Sequence, residues 1–190
     1  MDRIQITEKL KETATQMEEA ILALRGNHLH DKSYTKLASD HRNYYGYLGE
    51  LLFVRYLILK HKRGEYLPRF DGKTDNGDVT LFTRDLVIPA DIKTASKESH
   101  QYLMLPAVQF KKKTTGTYIG MRLTEEYGQV MGFARAEDLK PIELSLPVPS
   151  VGIRFTELRP IEELIERLED GSMTVDLSRI RGAHDNVSIH

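Results

Sequence analysis

The stretch "GDVTLFTRDLVIPADIKTAS", residues 77–96, reads as two extended runs joined by a short polar turn at Arg84–Asp85. Its β-branched and aromatic residues predict strands near 78–83 and 86–93. A two-residue connection at that turn pairs Thr83 with Leu86, Phe82 with Val87 and, further along, Asp78 with Asp91. Directly opposed residues of an antiparallel pair project to one face, so two carboxylates are expected side by side, an arrangement that destabilises the pair unless something positive compensates. Side chains alternate along a strand, which puts Lys93 on the face of Asp91 and Ile92 on the other. One lysine does not neutralise two carboxylates. Paired hard oxygens at one point also suit Mg²⁺, which binds one or two carboxylates and keeps several waters. The apolar "LVI" before the cluster seats it at the end of a core strand, on a rigid support.

Upstream, "YYGYLGELLFVRYLILKH" (44–61) is long and apolar enough for a buried helix, although Gly46 and Gly49 weaken it intrinsically and are expected to permit close backbone approach. Glu50 shares its helix face with Gly46, Tyr47, Phe53, Val54 and Leu57. A carboxylate on so apolar a face needs a cation, a hydrogen-bond donor or a metal-bound water, with Arg55 and Lys60 as the nearby cations. Leu10, Ala14, Met17, Ile21 and Leu24 mark an earlier amphipathic helix ending near Gly26. The polar connector between the two helices holds His28, His30 and His41 without a metal-ligand spacing.

Downstream of a polar loop over "RGEYLPRFDGKTDNG" and of the hairpin, Pro106 opens a short helix through about Lys112. "TYIGMRL" and "GQVMGFA" form a strand pair, "RAEDLK" a helical turn and "VGIRFTEL" a further strand. Pro160 starts a helix that closes at Gly171, and residues 172–190 give no clear pattern. Helices at both ends of a block of strands imply an α/β domain with a central mixed β-sheet flanked by helices. The 190 residues, 40% hydrophobic, are expected to form one domain: a helical segment 1–42, a core of about 44–140, and a strand and helix of about 150–171.

The net charge of −1 gives no global field for a polyanion, so any such site is local. The absence of cysteine excludes a disulfide scaffold and thiolate metal sites. With neither an apolar signal region nor a run of ~18 apolar residues, the chain is expected to be soluble and cytoplasmic, without a membrane partner.

The order of the helix "YGYLGELLFVRYL", then "GDVTLF", then "DIKTAS" resembles the PD-(D/E)XK nuclease superfamily over roughly residues 44–123. The resemblance implies a restriction-endonuclease-like core and a Mg²⁺- or Mn²⁺-dependent deoxyribonuclease, an endo- or exonuclease hydrolysing phosphodiester bonds. It makes Glu50 the helix acid, Asp78 the strand Asp, Asp91 the second metal ligand and Lys93 the catalytic lysine. The backbone carbonyl of Ile92 joins Asp78 and Asp91 in holding the ion, with Glu50 contacting it directly or through water. Two positions depart from the family name: Gly77 stands in place of the Pro, and Asp91 in place of the commoner Glu. Gln109 matches a glutamine that some members carry on the following helix.

DNA is the implied partner. Candidate phosphate contacts are Lys60, Lys62 and Arg63 in "KHKR" and Lys111, Lys112 and Lys113 in "KKK". Arg42, Tyr44 and Tyr45, with Tyr47, offer a stacking surface for bases. A second copy of the chain or a partner protein is compatible with this reading. The alternatives are a non-cleaving DNA-binding or complex-assembly protein on the same fold, and a structural ion-pair network of the four polar residues.

Overall fold

In the computed structural model residues 3–25, 42–68, 77–97, 99–112, 115–144 and 146–175 are described. A short strand β1 (Arg3–Gln5) leads into helix α1 (Glu8–Arg25). The Thr7 hydroxyl accepts the Leu10 N–H at 3.4 Å, satisfying one of the free donors at the helix start. Leu10, Ala14, Met17 and Ile21 are buried as one stripe, as their spacing predicts.

That stripe packs on helix α2 (Arg42–Leu59). Leu48, Leu51, Leu52, Phe53, Val54, Tyr56 and Leu57 are all buried, so α2 is covered on most sides, by α1 and by the central sheet. Glu18 of α1 accepts the Tyr44 N–H at 3.0 Å, which ties the first turn of α2 to its neighbour.

Seven strands form a mixed sheet in the order β1, β7 (Tyr127–Arg135), β6 (Thr117–Leu123), β4 (Val87–Ala95), β3 (Val79–Phe82), β2 (Gly64–Tyr66) and β10 (Met173–Val175). The β4–β6 and β2–β10 pairs are parallel and the others antiparallel. Helices α1, α2 and α4 (Ile161–Ile165) share one core with one face of this sheet, joined by Ala90, Ile92, Ile119 and Met121. The other core contains Tyr118 and Ala95 from the opposite face. It is closed by a second sheet of β5 (Tyr102–Pro106), β9 (Ser150–Arg154) and β8 (Lys140–Pro141), with the short helix α3 (Ala107–Lys112) beside it. The fold is therefore α/β with a mixed sheet, but strands as well as helices cover its second face.

Two sequence expectations change here. The helix expected from Pro160 to Gly171 ends at Ile165. The chain then turns to the sheet: Leu168 is buried and bridges Thr83, the Glu169 N–H donates to the Phe82 carbonyl at 3.0 Å, and Asp170 bridges Lys62. Strands β1, β2, β8 and β10, of two or three residues each, are too short to show alternation in a sequence.

Candidate active site

The β3–β4 hairpin has the register its two-residue turn predicts, Phe82 opposite Val87, Leu81 opposite Ile88, Thr80 opposite Pro89 and Val79 opposite Ala90. Thr83 closes the turn, its hydroxyl accepting the N–H groups of Asp85 at 3.3 Å and Leu86 at 2.9 Å. The regular pairing stops at Val79. The Asp78 N–H donates to the Ala90 carbonyl at 2.8 Å, so two successive residues address one residue of β4, as in a β-bulge. Gly77 makes this possible: its φ is +95°, and a Cβ there would lie 2.7 Å from the Ala90 carbonyl oxygen and 2.9 Å from its nitrogen. Proline, with φ near −65°, does not reach this conformation, which accounts physically for glycine before Asp78.

The bulge corrects one expectation. Asp78 does not continue the ladder opposite Asp91; its Oδ2 accepts the Ile92 N–H at 2.7 Å. A strand N–H lies in the plane of the sheet, so the Asp78 carboxylate reaches into the gap where β3 leaves β4. The N–H and C=O of one residue leave a strand on the same edge, and the Ile92 carbonyl therefore faces that gap too.

Asp91 and Lys93 share a face, as alternation requires. Asp91 is fully buried, and its Oδ2 is 3.0 Å from the Lys93 ammonium, whose side chain retains 22% exposure. The opposite face of β4 carries Ala90, Ile92 and Thr94. There α2 crosses so closely that a Cβ on Gly49 would collide with the Thr94 hydroxyl, the close approach expected of that glycine.

Glu50 follows Gly49 and lies on the helix-covered side. Its Oε2 accepts the Tyr66 hydroxyl at 2.7 Å. Tyr66 is fully buried, and its pKa is pushed well above the ordinary 10.0, first by burial, then by the charge and hydrogen bond of Glu50 and by the charge of Asp78. The phenol thus stays protonated and remains a donor. Glu50, Tyr66 and Asp78 are coupled on one side of the gap, Asp91 and Lys93 on the other, and the Asp78–Ile92 bond joins the two groups. Tyr66 was placed in a loop by sequence. The three-residue strand that carries it, buried at Gly64 and Tyr66, is too short to leave a periodic signal in the sequence.

Several proposed DNA contacts have protein partners. Lys62 pairs with Asp170 at 3.0 Å and Arg63 with Glu169 at 2.7 Å, while the Arg63 guanidinium lies 5.0 Å from the Phe82 ring centre. Lys60 lies 5.7 Å from the ring centre of Tyr56, and Tyr44 and Tyr45 meet edge to face at 5.2 Å. Gln109, Lys111 and Lys112 are exposed on α3. Lys113, the three connector histidines and the side chain of Arg42 lie outside the described residues. A separate surface cleft of about 620 Å³, lined by Tyr102, Lys140, Glu143, Arg154 and Glu157 among others, includes none of Glu50, Asp78, Asp91 or Lys93.

Among the described residues no three His, Asp or Glu side chains stand close enough together to hold a metal ion. Two aspartates and a carbonyl remain as hard oxygen donors, a set that suits Mg²⁺ or Mn²⁺ with retained waters. Asp78 fits this use, because its Oδ1 takes no hydrogen bond from the described residues while Oδ2 is fixed by Ile92. Glu50, held by Tyr66, suits a contact through water. No helix among the described residues is long and apolar enough to cross a membrane. No family model matches the chain, and no curated protein matches it.

Proposed function

We propose that the protein is a cytoplasmic Mg²⁺- or Mn²⁺-dependent deoxyribonuclease with a restriction-endonuclease-like core, hydrolysing DNA phosphodiester bonds at the β3–β4 gap. The observation that carries this reading is the bulge at Asp78. It turns a carboxylate into the sheet plane beside the Ile92 peptide, next to the buried Asp91 and its Lys93 partner at 3.0 Å. Asp78, Asp91 and the Ile92 carbonyl would hold the ion, and Glu50 would orient a water at its outer side. The ion supplies Lewis-acid polarisation of the phosphoryl oxygen and a more acidic water. Lys93 offsets the negative charge that develops at phosphorus and positions the attacking water, with Asp91 fixing its ammonium. The Ile92 N–H holds Asp78 Oδ2, which would leave Oδ1 to meet the ion.

A second reading has its own support. The Asp91–Lys93 pair is already closed, and Asp78 has a backbone donor, which a purely structural ion-pair network also requires. Incubation with labelled duplex, single-stranded, flap and four-way-junction DNA in Mg²⁺ or Mn²⁺ separates the two. The nuclease reading expects divalent-dependent cleavage of at least one substrate. The structural reading expects none and no thermal stabilisation by the ion.

A further inference from the structure

Lys93 lies opposite Gly120 on β6, and Arg122 lies opposite Ala95. Directly paired residues share a face, so Arg122 projects from the face that carries Asp91 and Lys93. It is two residues, about 7 Å, further along and one strand, about 4.8 Å, across. Its guanidinium stacks on Phe155, with 5.0 Å from its central carbon to the ring centre. Phe155 in turn lies over Gly120, where a Cβ would come within 3.0 Å of the ring.

Two observations separate Arg122 from the other cations near the gap. Among the described residues no carboxylate pairs with it, whereas Lys93, Lys62 and Arg63 each have one. Its Nε is buried and has no hydrogen-bond partner among the described residues, although the residue as a whole is only half-buried. That nitrogen is closed to solvent, so an oxyanion would meet the guanidinium at its two terminal nitrogens. The aromatic stack holds the planar fork in place, so less freedom is lost when it binds.

We infer that Arg122, stacked on Phe155, forms a phosphate subsite beside Lys93 that takes a backbone phosphate flanking the one to be cleaved. The offset from Lys93 is of the order of the separation between successive phosphates on one strand. This inference rests on the nuclease reading for the identity of its ligand, but not for the geometry of the site. Of the ligands with this chemistry, a DNA backbone phosphate is the one the nuclease reading supplies.

The test is metal-free binding of a short fluorescent DNA duplex over a salt series, for the parent, Arg122→Gln and Arg122→Lys, with melting temperatures and Mg²⁺-dependent cleavage measured in parallel. Arg122→Gln should weaken binding about tenfold or more and reduce the slope of log affinity against log salt by about 0.9, one phosphate contact. Arg122→Lys should keep the slope and lose part of the affinity, because it keeps the charge and not the fork. Parental affinity and slope in Arg122→Gln, or no duplex binding by the parent, overturns the subsite. Cleavage by the parent together with an unchanged Arg122→Gln slope rejects the subsite and keeps the nuclease. A reduced slope with no cleavage by any protein does the opposite. If Arg122→Gln melts far below the parent, Arg122→Lys decides, since a changed slope in that variant contradicts a charge-based contact.

Discussion

The Ile92 N–H donates to Asp78 Oδ2 at 2.7 Å, one residue away from both Asp91 and Lys93. This single bond joins the end of one strand to the acid–x–lysine segment of the next. It depends on Gly77 and the bulge, because a regular ladder would have placed Asp78 opposite Asp91 instead.

Gly77→Ala should therefore destabilise the protein by about 1–3 kcal/mol, since it forces a side chain into a left-handed conformation against the Ala90 backbone. Gly77→Pro, which would give the letters of the motif that the sequence resembles, should be at least as harmful. Chemical denaturation of both variants checks this. A proline variant as stable as the parent would contradict the bulge.

The hairpin was legible because a two-residue turn fixes register, and register fixes which side chains share a face. Helix α2 was legible from its length and apolar content, and Asp91 with Lys93 from simple alternation. The bulge was not, because one extra residue at a strand end leaves no periodic trace, and glycine before Asp78 reads equally well as loop. Tyr66 was hidden in a three-residue strand, one of whose two partners, β10, lies more than a hundred residues further along the chain. The latch of Glu169 and Asp170 onto Arg63 and Lys62 was hidden for a related reason: the acidic tail of an apparent helix gave no sign that it would leave the helix and neutralise a basic run more than a hundred residues earlier.

Gly49→Ala should lower stability, because the new methyl meets the Thr94 side chain where α2 crosses β4. Thr94→Ala should cost little alone, as its buried hydroxyl has no hydrogen-bond partner among the described residues. In the double variant the loss should be partly recovered, giving a coupling of roughly 0.5–3 kcal/mol in a double-mutant cycle. Strict additivity would place the helix further from the strand.

Tyr66→Phe should cost about 1.5–3 kcal/mol near neutral pH, by removing the donor to the Glu50 carboxylate. The raised pKa of Tyr66 adds a pH signature. Its contribution to stability is fully present below the ordinary 10.0 and is lost as pH rises towards the higher folded-state value, because only the unfolded chain then ionises freely. The gap between parent and Tyr66→Phe should narrow above about pH 10 in urea titrations, given the ordinary tyrosine value. A constant gap would remove Tyr66 from a buried, proton-retaining setting.

Asp91→Asn and Lys93→Ala should each destabilise the metal-free protein, by roughly 1–3 kcal/mol, less than for a fully buried pair because Lys93 reaches solvent. The double variant should lose less than the two together. Relief of repulsion with Asp78 should not offset the loss, since Asp78 has its own donor in Ile92. Urea unfolding of the three variants measures this, and a gain in stability from Asp91→Asn would show that the two carboxylates oppose each other after all.

Cleavage of a labelled DNA substrate by the parent and by Lys93→Ala, at matched fractions folded and with Mg²⁺ or Mn²⁺, tests the proposed chemistry most directly. Loss of the ammonium that serves water and phosphorus should slow cutting by about 10²–10³ or more while metal-dependent stabilisation persists, because Asp78 and Asp91 remain. Cutting by Lys93→Ala at the parental rate, or no divalent-dependent cutting by the parent on any of the duplex, single-stranded, flap and junction substrates, would contradict it.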